Sequence, residues 1–167
     1  RRMPMISLDA YLTTVRDRLL QDGCEVTDEV IGPVRAMVGY RSNVKALSKV
    51  HLFTAVAGVS EVNQAAVQDF SHRVSDHAKA RKGQLRGFQS GVLALAVLVA
   101  PKVDDGAKQV ASEPFKLGAG GFAAMVQPAV VDLTEGRVHT FRGRRVWGAA
   151  FAGYLRDKSI RYLPDPA

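Results

Sequence analysis

GVLALAVLVA, Gly91 to Ala100, contains no polar side chain and ends against Pro101. These ten residues are too few to cross a bilayer as a helix, which takes roughly 20 apolar residues. Valine and leucine dominate the run, and its length suits a strand covered on both faces. It is therefore expected to be the central strand of a sheet with helices packed against it.

Upstream of this stretch, Ser7 is placed to cap a helix to about Gln21, with Asp9 in its first turn and Leu8, Leu12, Val15 and Leu19 as the buried stripe. Asp22-Gly23 stops it. The next segment, EVTDEVIGPVRAMVGYR, is rich in β-branched residues and broken by Gly32-Pro33, so it predicts strands over Glu25–Ile31 and Val34–Arg41. A third strand, Lys49–Gly58, puts Val50, Leu52, Thr54 and Val56 on one face. Ser60 and Glu61 are expected to open the longest helix, which runs to about Lys82 and buries Val62, Ala66, Phe70 and Val74.

Downstream, Asp104 is expected to cap a short helix closed by Pro114. Pro128–Leu133 and Arg137–Arg142 predict a hairpin around Thr134-Glu135-Gly136, and Val146–Tyr162 a final helix with Trp147, Phe151, Leu155 and Tyr162 inward. The resulting order is α-β-β-β-α-β-α-β-β-α. Hairpins at both ends predict a mixed sheet of about five to six strands, hence an α+β fold over residues 1–167 as a single domain, with 1–6 and 164–167 frayed.

Charge is unevenly spread. The chain has 167 residues, with 23 Lys and Arg against 16 Asp and Glu, a formal net charge of +7. Val30–Ser60 and Gly136–Leu155 contain no acidic residue. A basic balance points to a polyanion or an acidic partner, or else to a solvated surface. The single cysteine, Cys24, leaves no disulfide framework and no cysteine-rich zinc site, so a reducing cytoplasm is the expected compartment. The start, RRMPMISLDAYL, lacks the apolar core of a secretory signal, and no membrane partner is expected.

The first six elements follow an order similar to the core of restriction-endonuclease-like nucleases. That resemblance implies carboxylates at the ends of the second and third strands to hold Mg²⁺. VRAMVGYR and KVHLFTAVAG contain none, so the fold is expected without the active site. Gly118-Ala119-Gly120-Gly121-Phe122-Ala123 satisfies a dinucleotide-binding pattern. It lacks the strand before it and the helix after it that such a site needs, and so reads as a connecting loop whose N–H groups offer a phosphate site at most. His72 and His77, five apart on a helix, point in different directions and do not chelate together. His51 and His139 are expected at surface or edge positions, and Cys24 in buried packing. No catalytic residue, cofactor or metal is assigned.

RVHTFRGRRVWG, Arg137 to Gly148, is the preferred binding surface. It supplies Arg137, His139, Arg142, Arg144 and Arg145 for phosphate or carboxylate contacts, with Phe141 and Trp147 either stacking on bases or anchoring the corner. Arg81, Lys82 and Arg86 in KARKGQLRG are expected to support it if the fold brings the two segments together. The first expectation is thus a non-catalytic module binding nucleic acid or an acidic protein. Two others stand beside it: an enzyme on a phosphorylated or nucleic-acid substrate using Asp132, Glu135 and His139, and a homodimer joined by an exposed strand.

Overall fold

The computed structural model describes residues 5–45, 48–84, 91–114, 124–142 and 149–166. In chain order the elements are α1 (Leu8–Gln21), β1 (Glu25–Ile31), β2 (Val34–Lys45), β3 (Ser48–Gly58), β4 (Glu61–Val62), α2 (Gln64–Gln84), β5 (Gly91–Ala100), β6 (Lys102–Val103), α3 (Asp105–Ala111), β7 (Ala124–Asp132), β8 (Arg137–Thr140) and α4 (Ala149–Tyr162). Six strands form one sheet in the order β1-β2-β3-β5-β7-β8. The β3–β5 and β5–β7 pairs are parallel, and the β1–β2, β2–β3 and β7–β8 pairs are antiparallel. The fold is the expected α+β arrangement, with helices on a mixed sheet.

β5 lies inside that sheet and is buried along Val92–Ala100. Its side chains alternate between two cores. Val92, Ala94, Ala96, Leu98 and Ala100 pack with Val67, Phe70, Val74 and Ala78 of α2 and with Ala107 and Ala111 of α3. Leu93, Leu95, Val97 and Val99 pack with Tyr11, Val15 and Leu19 of α1 and with Leu155 and Tyr162 of α4. A strand covered on both faces has no use for polar positions, which is why this stretch reads as continuous hydrophobe. The parallel crossover from β3 to β5 through α2 puts that helix across β5 and β7.

Local chemistry explains most boundaries. Ser7 caps α1 by accepting the Ala10 N–H at 3.1 Å, and Asp104 caps α3 by accepting the Ala107 N–H at 2.8 Å. Gly32, with φ of +61°, opens the two-residue turn between β1 and β2, and Ile31 pairs with Val34 across it. At Gly39 the missing side chain admits Leu19: an added Cβ would lie 2.9 Å from its Cδ2. Through that contact α1 settles onto β2.

The structure departs from the sequence expectations at several places, among them β2, which runs to Lys45 rather than Arg41, and β8, which ends at Thr140 rather than Arg142. α2 starts at Gln64, not at Ser60. Glu61 and Val62 instead pair with Lys102 and Val103 in a two-stranded ribbon that buries Val62, and Asn63 becomes the cap by accepting the Ala66 N–H at 2.8 Å. β7 begins at Ala124, earlier than the expected Pro128, because its pairing with β5 extends back to Val92–Ala124. His51, expected at a surface or edge, is 3 % exposed; it stacks on Tyr40, whose hydroxyl lies 2.7 Å from its Nδ1. At the chain's end, Pro164 accepts the Tyr11 hydroxyl at 2.7 Å, and the Asp165 carboxylate accepts the Val138 N–H on edge strand β8 at 3.2 Å. The glycine-rich segment 118–123, Trp147 and the side chain of Phe151 lie outside the described residues.

Candidate functional site

The β7–β8 hairpin carries the residues that the sequence favours. Asp132 pairs with Arg137 in the ladder and Val130 with His139, so Asp132 and His139 are not partners across the strands. Asp132 instead spends one carboxylate oxygen on the turn, accepting the N–H groups of Thr134 and Glu135 at 3.0 and 2.9 Å. Its other oxygen lies 3.4 Å from Lys108 Nζ of α3. Lys108 also reaches Glu135 at 3.1 Å, and the second Glu135 oxygen lies 2.7 Å from His139 Nε2. Hydrogen bonds from Lys108 and His139 hold the Glu135 carboxyl below its usual range, and Glu135 in turn raises Lys108. Asp132, Glu135 and His139 therefore form a hairpin-to-α3 clasp.

Arg137, the first residue of β8, and Arg142, two residues past its last, are exposed and make no ion pair among the described residues. Arg81 is differently employed: its Nη1 lies 3.3 Å from Glu29 of β1, and His77 contacts the same carboxylate oxygen at 3.2 Å. β1 and β8 are opposite edges of the six-stranded sheet. Five strand spacings separate them, on the order of 24 Å. The structure thus brings Arg137, His139 and Arg142 together on one edge and keeps Arg81 at the other. Arg86, Arg144, Arg145 and the side chain of Lys82 lie outside the described residues.

A second cluster has no counterpart in the sequence expectations. α1 ends at Asp22, followed by Gly23 at φ +83° and by Cys24. A carboxylate at a helix C-terminus faces the negative end of the dipole, and this one is also buried, with its side chain 4 % exposed. Cations from two other elements compensate. Arg41 of β2 lies 2.9 Å from Oδ1 and Arg161 of α4 lies 3.1 Å from the same oxygen. Lys158 lies 2.5 Å from Oδ2, and the Tyr162 hydroxyl donates to that oxygen too. Burial works against the charge on Asp22, but hydrogen bonds from Lys158, Tyr162 and Arg41 outweigh it and hold the carboxyl below its ordinary value.

The surroundings extend this hub. Arg41 also donates to the Asp22 carbonyl at 2.5 Å and to Asn43 Oδ1 at 2.6 Å, and Asn43 Nδ2 donates to the Tyr154 hydroxyl at 3.1 Å. Arg41 Nε is buried with no hydrogen-bond partner among the described residues. Lys158 Nζ lies 5.5 Å from the Tyr154 ring centroid and 5.8 Å from that of Tyr162. Cys24 Sγ lies 3.5 Å from the Tyr162 hydroxyl, and burial pushes its thiol pKa up. A thiol held protonated in this way is a packing group rather than a nucleophile.

One signal of the hub was present in the sequence: Lys158, Arg161 and Tyr162 recur at i, i+3 and i+4, one face of a helix. Their partner Asp22 is more than a hundred residues away, and sequence spacing carries no information about it. Among the described residues no group of three His, Cys, Asp or Glu side chains is arranged to hold a metal ion, and no helix is long and apolar enough to cross a membrane. No protein-family model matches this chain, and no curated protein matches it in sequence.

Proposed function

We propose that this chain is a non-catalytic binding module whose β8 edge engages a polyanion, nucleic acid in the first instance. The observation that carries this reading is the contrast among its arginines. Arg137 at the start of β8 and Arg142 just past its end stand exposed without an ion pair among the described residues, whereas Arg81 is held by Glu29. The acid-free run Gly136–Leu155 adds Arg144 and Arg145 to the same stretch of chain. Guanidinium groups in series suit backbone phosphates, which attract them with little regard to base sequence.

Nucleic acid is preferred over an acidic protein by fold-level analogy alone, from the element order similar to nuclease cores. Cleavage is not part of the proposal, because β2 and β3 contain no Asp or Glu to hold a metal. Nor do Asp132, Glu135 and His139 recommend an enzyme, since their acid–base groups are spent on turn amides, on Lys108 and on each other.

The test is binding of labelled single- and double-stranded DNA and RNA, titrated with salt. Wild-type protein is expected to bind with a steep log–log salt dependence. Reversal of Arg137, Arg142, Arg144 and Arg145 to Glu should flatten the slope by about 0.7–0.9 for each phosphate that the variant no longer neutralises. Unchanged affinity in that variant, or wild-type binding confined to very low salt, overturns the proposal.

A further inference from the structure

We propose that the cleft between α1 and α4 binds a carboxylate carrying an N–H donor beside it, as an amino acid or a peptide C-terminus does. The cleft is an open one of about 470 Å³, lined by Thr14, Asp17, Arg18 and Gln21 of α1 and Arg161 of α4. That is within the range of small-molecule sites.

Part of its charge comes from the Asp22 hub, which reaches the cleft through Arg161. Asp22 is a single carboxylate shared by Arg41, Lys158 and Arg161, so the four groups together carry two positive charges in excess. Arg161 is the outermost of the three cations, with its side chain 55 % exposed against 23 % for Arg41 and 12 % for Lys158. Only its Nη1 is engaged with Asp22, at 3.1 Å, which leaves further donors of the planar fork for a ligand. Arg18 supplies a second guanidinium from the facing helix, held in place by its Nη1 donating to the Arg161 carbonyl at 2.9 Å. Two forks anchored on two helices suit the planar, bidentate geometry of a carboxylate.

Asp17 sharpens the choice of ligand. A negative charge in the wall of an arginine-lined cleft opposes a phosphate dianion, and it accepts a hydrogen bond from an amide or ammonium group beside a ligand carboxylate. Thr14 donates its hydroxyl proton to the Ala10 carbonyl at 3.1 Å and so presents its oxygen as a further acceptor. The pattern of a cationic end next to acceptors matches a C-terminal residue. This site is built from α1 and α4, without the hairpin arginines, and does not depend on nucleic-acid binding.

The experiment is a ¹⁵N NMR titration of the full chain with N-acetyl-alanyl-alanine, the same peptide amidated at its C-terminus, free alanine and inorganic phosphate. Saturable shifts of α1 and α4 amides are expected with a free carboxylate. Amidation should weaken binding by about tenfold or more, the worth of a charge-assisted hydrogen bond. Arg18→Gln and Arg161→Gln should each weaken it similarly, and Arg18→Gln leaves the Asp22 cluster intact if Arg161→Gln disturbs folding. The tighter of free alanine and the acetylated dipeptide identifies the source of the carboxylate. Equal binding of the amidated peptide, tighter binding of phosphate, or no saturable shift with either carboxylate overturns the proposal. The Arg137→Glu/Arg142→Glu variant is expected to titrate as wild type, so failure here and failure of the nucleic-acid reading are separately visible.

Discussion

Two of the ionic networks that join helix to sheet in this protein differ chiefly in the burial of their central carboxylate. At the end of α1, Asp22 is 4 % exposed and gathers Arg41, Lys158, Arg161 and the Tyr162 hydroxyl. At the β7–β8 turn, Glu135 is 37 % exposed and shares Lys108 with Asp132 while contacting His139. The contact distances are similar. Around Asp22 water is largely absent, so its loss strands Lys158 and Arg41 in a low-dielectric setting; around Glu135, water can substitute for a partner removed. Similar geometry therefore holds the packing together in one place and only trims the surface in the other.

The largest effect should come from the hub's only carboxylate. Asp22→Ala leaves Arg41, Lys158 and Arg161 facing one another and is expected to cost about 3–5 kcal/mol in urea denaturation, the cost of breaking a buried pair. A loss below 1 kcal/mol would mean that water reaches the cluster freely. Asp22 also predicts a pH dependence. Its native pKa lies below the unfolded value of about 3.9. The unfolded chain therefore binds the proton first, so this stabilisation is complete above that value and is lost as pH falls through the native pKa. Asp22→Asn should show a shallower decline in stability on acidification than wild type below about pH 4. Parallel curves would exclude Asp22 as a source of acid sensitivity.

Tyr162→Phe probes the same hub with a smaller change. The phenol is buried and donates to Asp22, and its own ionisation is pushed far upward, first by burial and then by that carboxylate. Loss of a hydrogen bond to a charged group should cost about 1.5–3 kcal/mol in the same denaturation assay. Because Lys158 and Arg41 still neutralise Asp22, the effect should stay below that of Asp22→Ala. A larger cost would show the aromatic hydroxyl, not the cations, to be the main partner.

How far each region was legible in the sequence follows from how its residues are spaced. Val92 to Ala100 announced a buried strand because a strand covered on both faces imposes apolarity at every position. Ser7 and Asp104 marked their helix starts because a cap is a local bond spanning three residues. Ser60 misled, since the β4–β6 pairing that displaces it depends on Lys102 and Val103, some forty residues on. The hairpin clasp was half legible: Asp132, Glu135 and His139 stand close in the chain, but Lys108 enters from α3 and changes who pairs with whom. The Asp22 hub was not legible, since Asp22 reads as a helix stop and Lys158, Arg161 and Tyr162 as one more amphipathic face. Long-range ion pairing leaves no periodicity, and only the packing of α4 beside α1 brings these residues together.

The smallest effect should fall on the exposed network. Glu135→Gln keeps the side-chain shape, but it removes the charge and turns one of the two oxygens that meet Lys108 and His139 into an amide donor. With Glu135 more than a third exposed, solvent screens most of that attraction, and the expected change in stability is about 0.5 kcal/mol or less. Salt separates the two networks further. Raising ionic strength to about 1 M shortens the screening length to about 3 Å, which should abolish the small Glu135→Gln difference while leaving the Asp22→Ala cost largely in place. If Glu135→Gln instead matched Asp22→Ala in size, the hairpin turn would be held by charge as firmly as α4 is. The β8 edge would then be a rigid platform for Arg137 and Arg142, its position dependent on the Lys108 contact to α3.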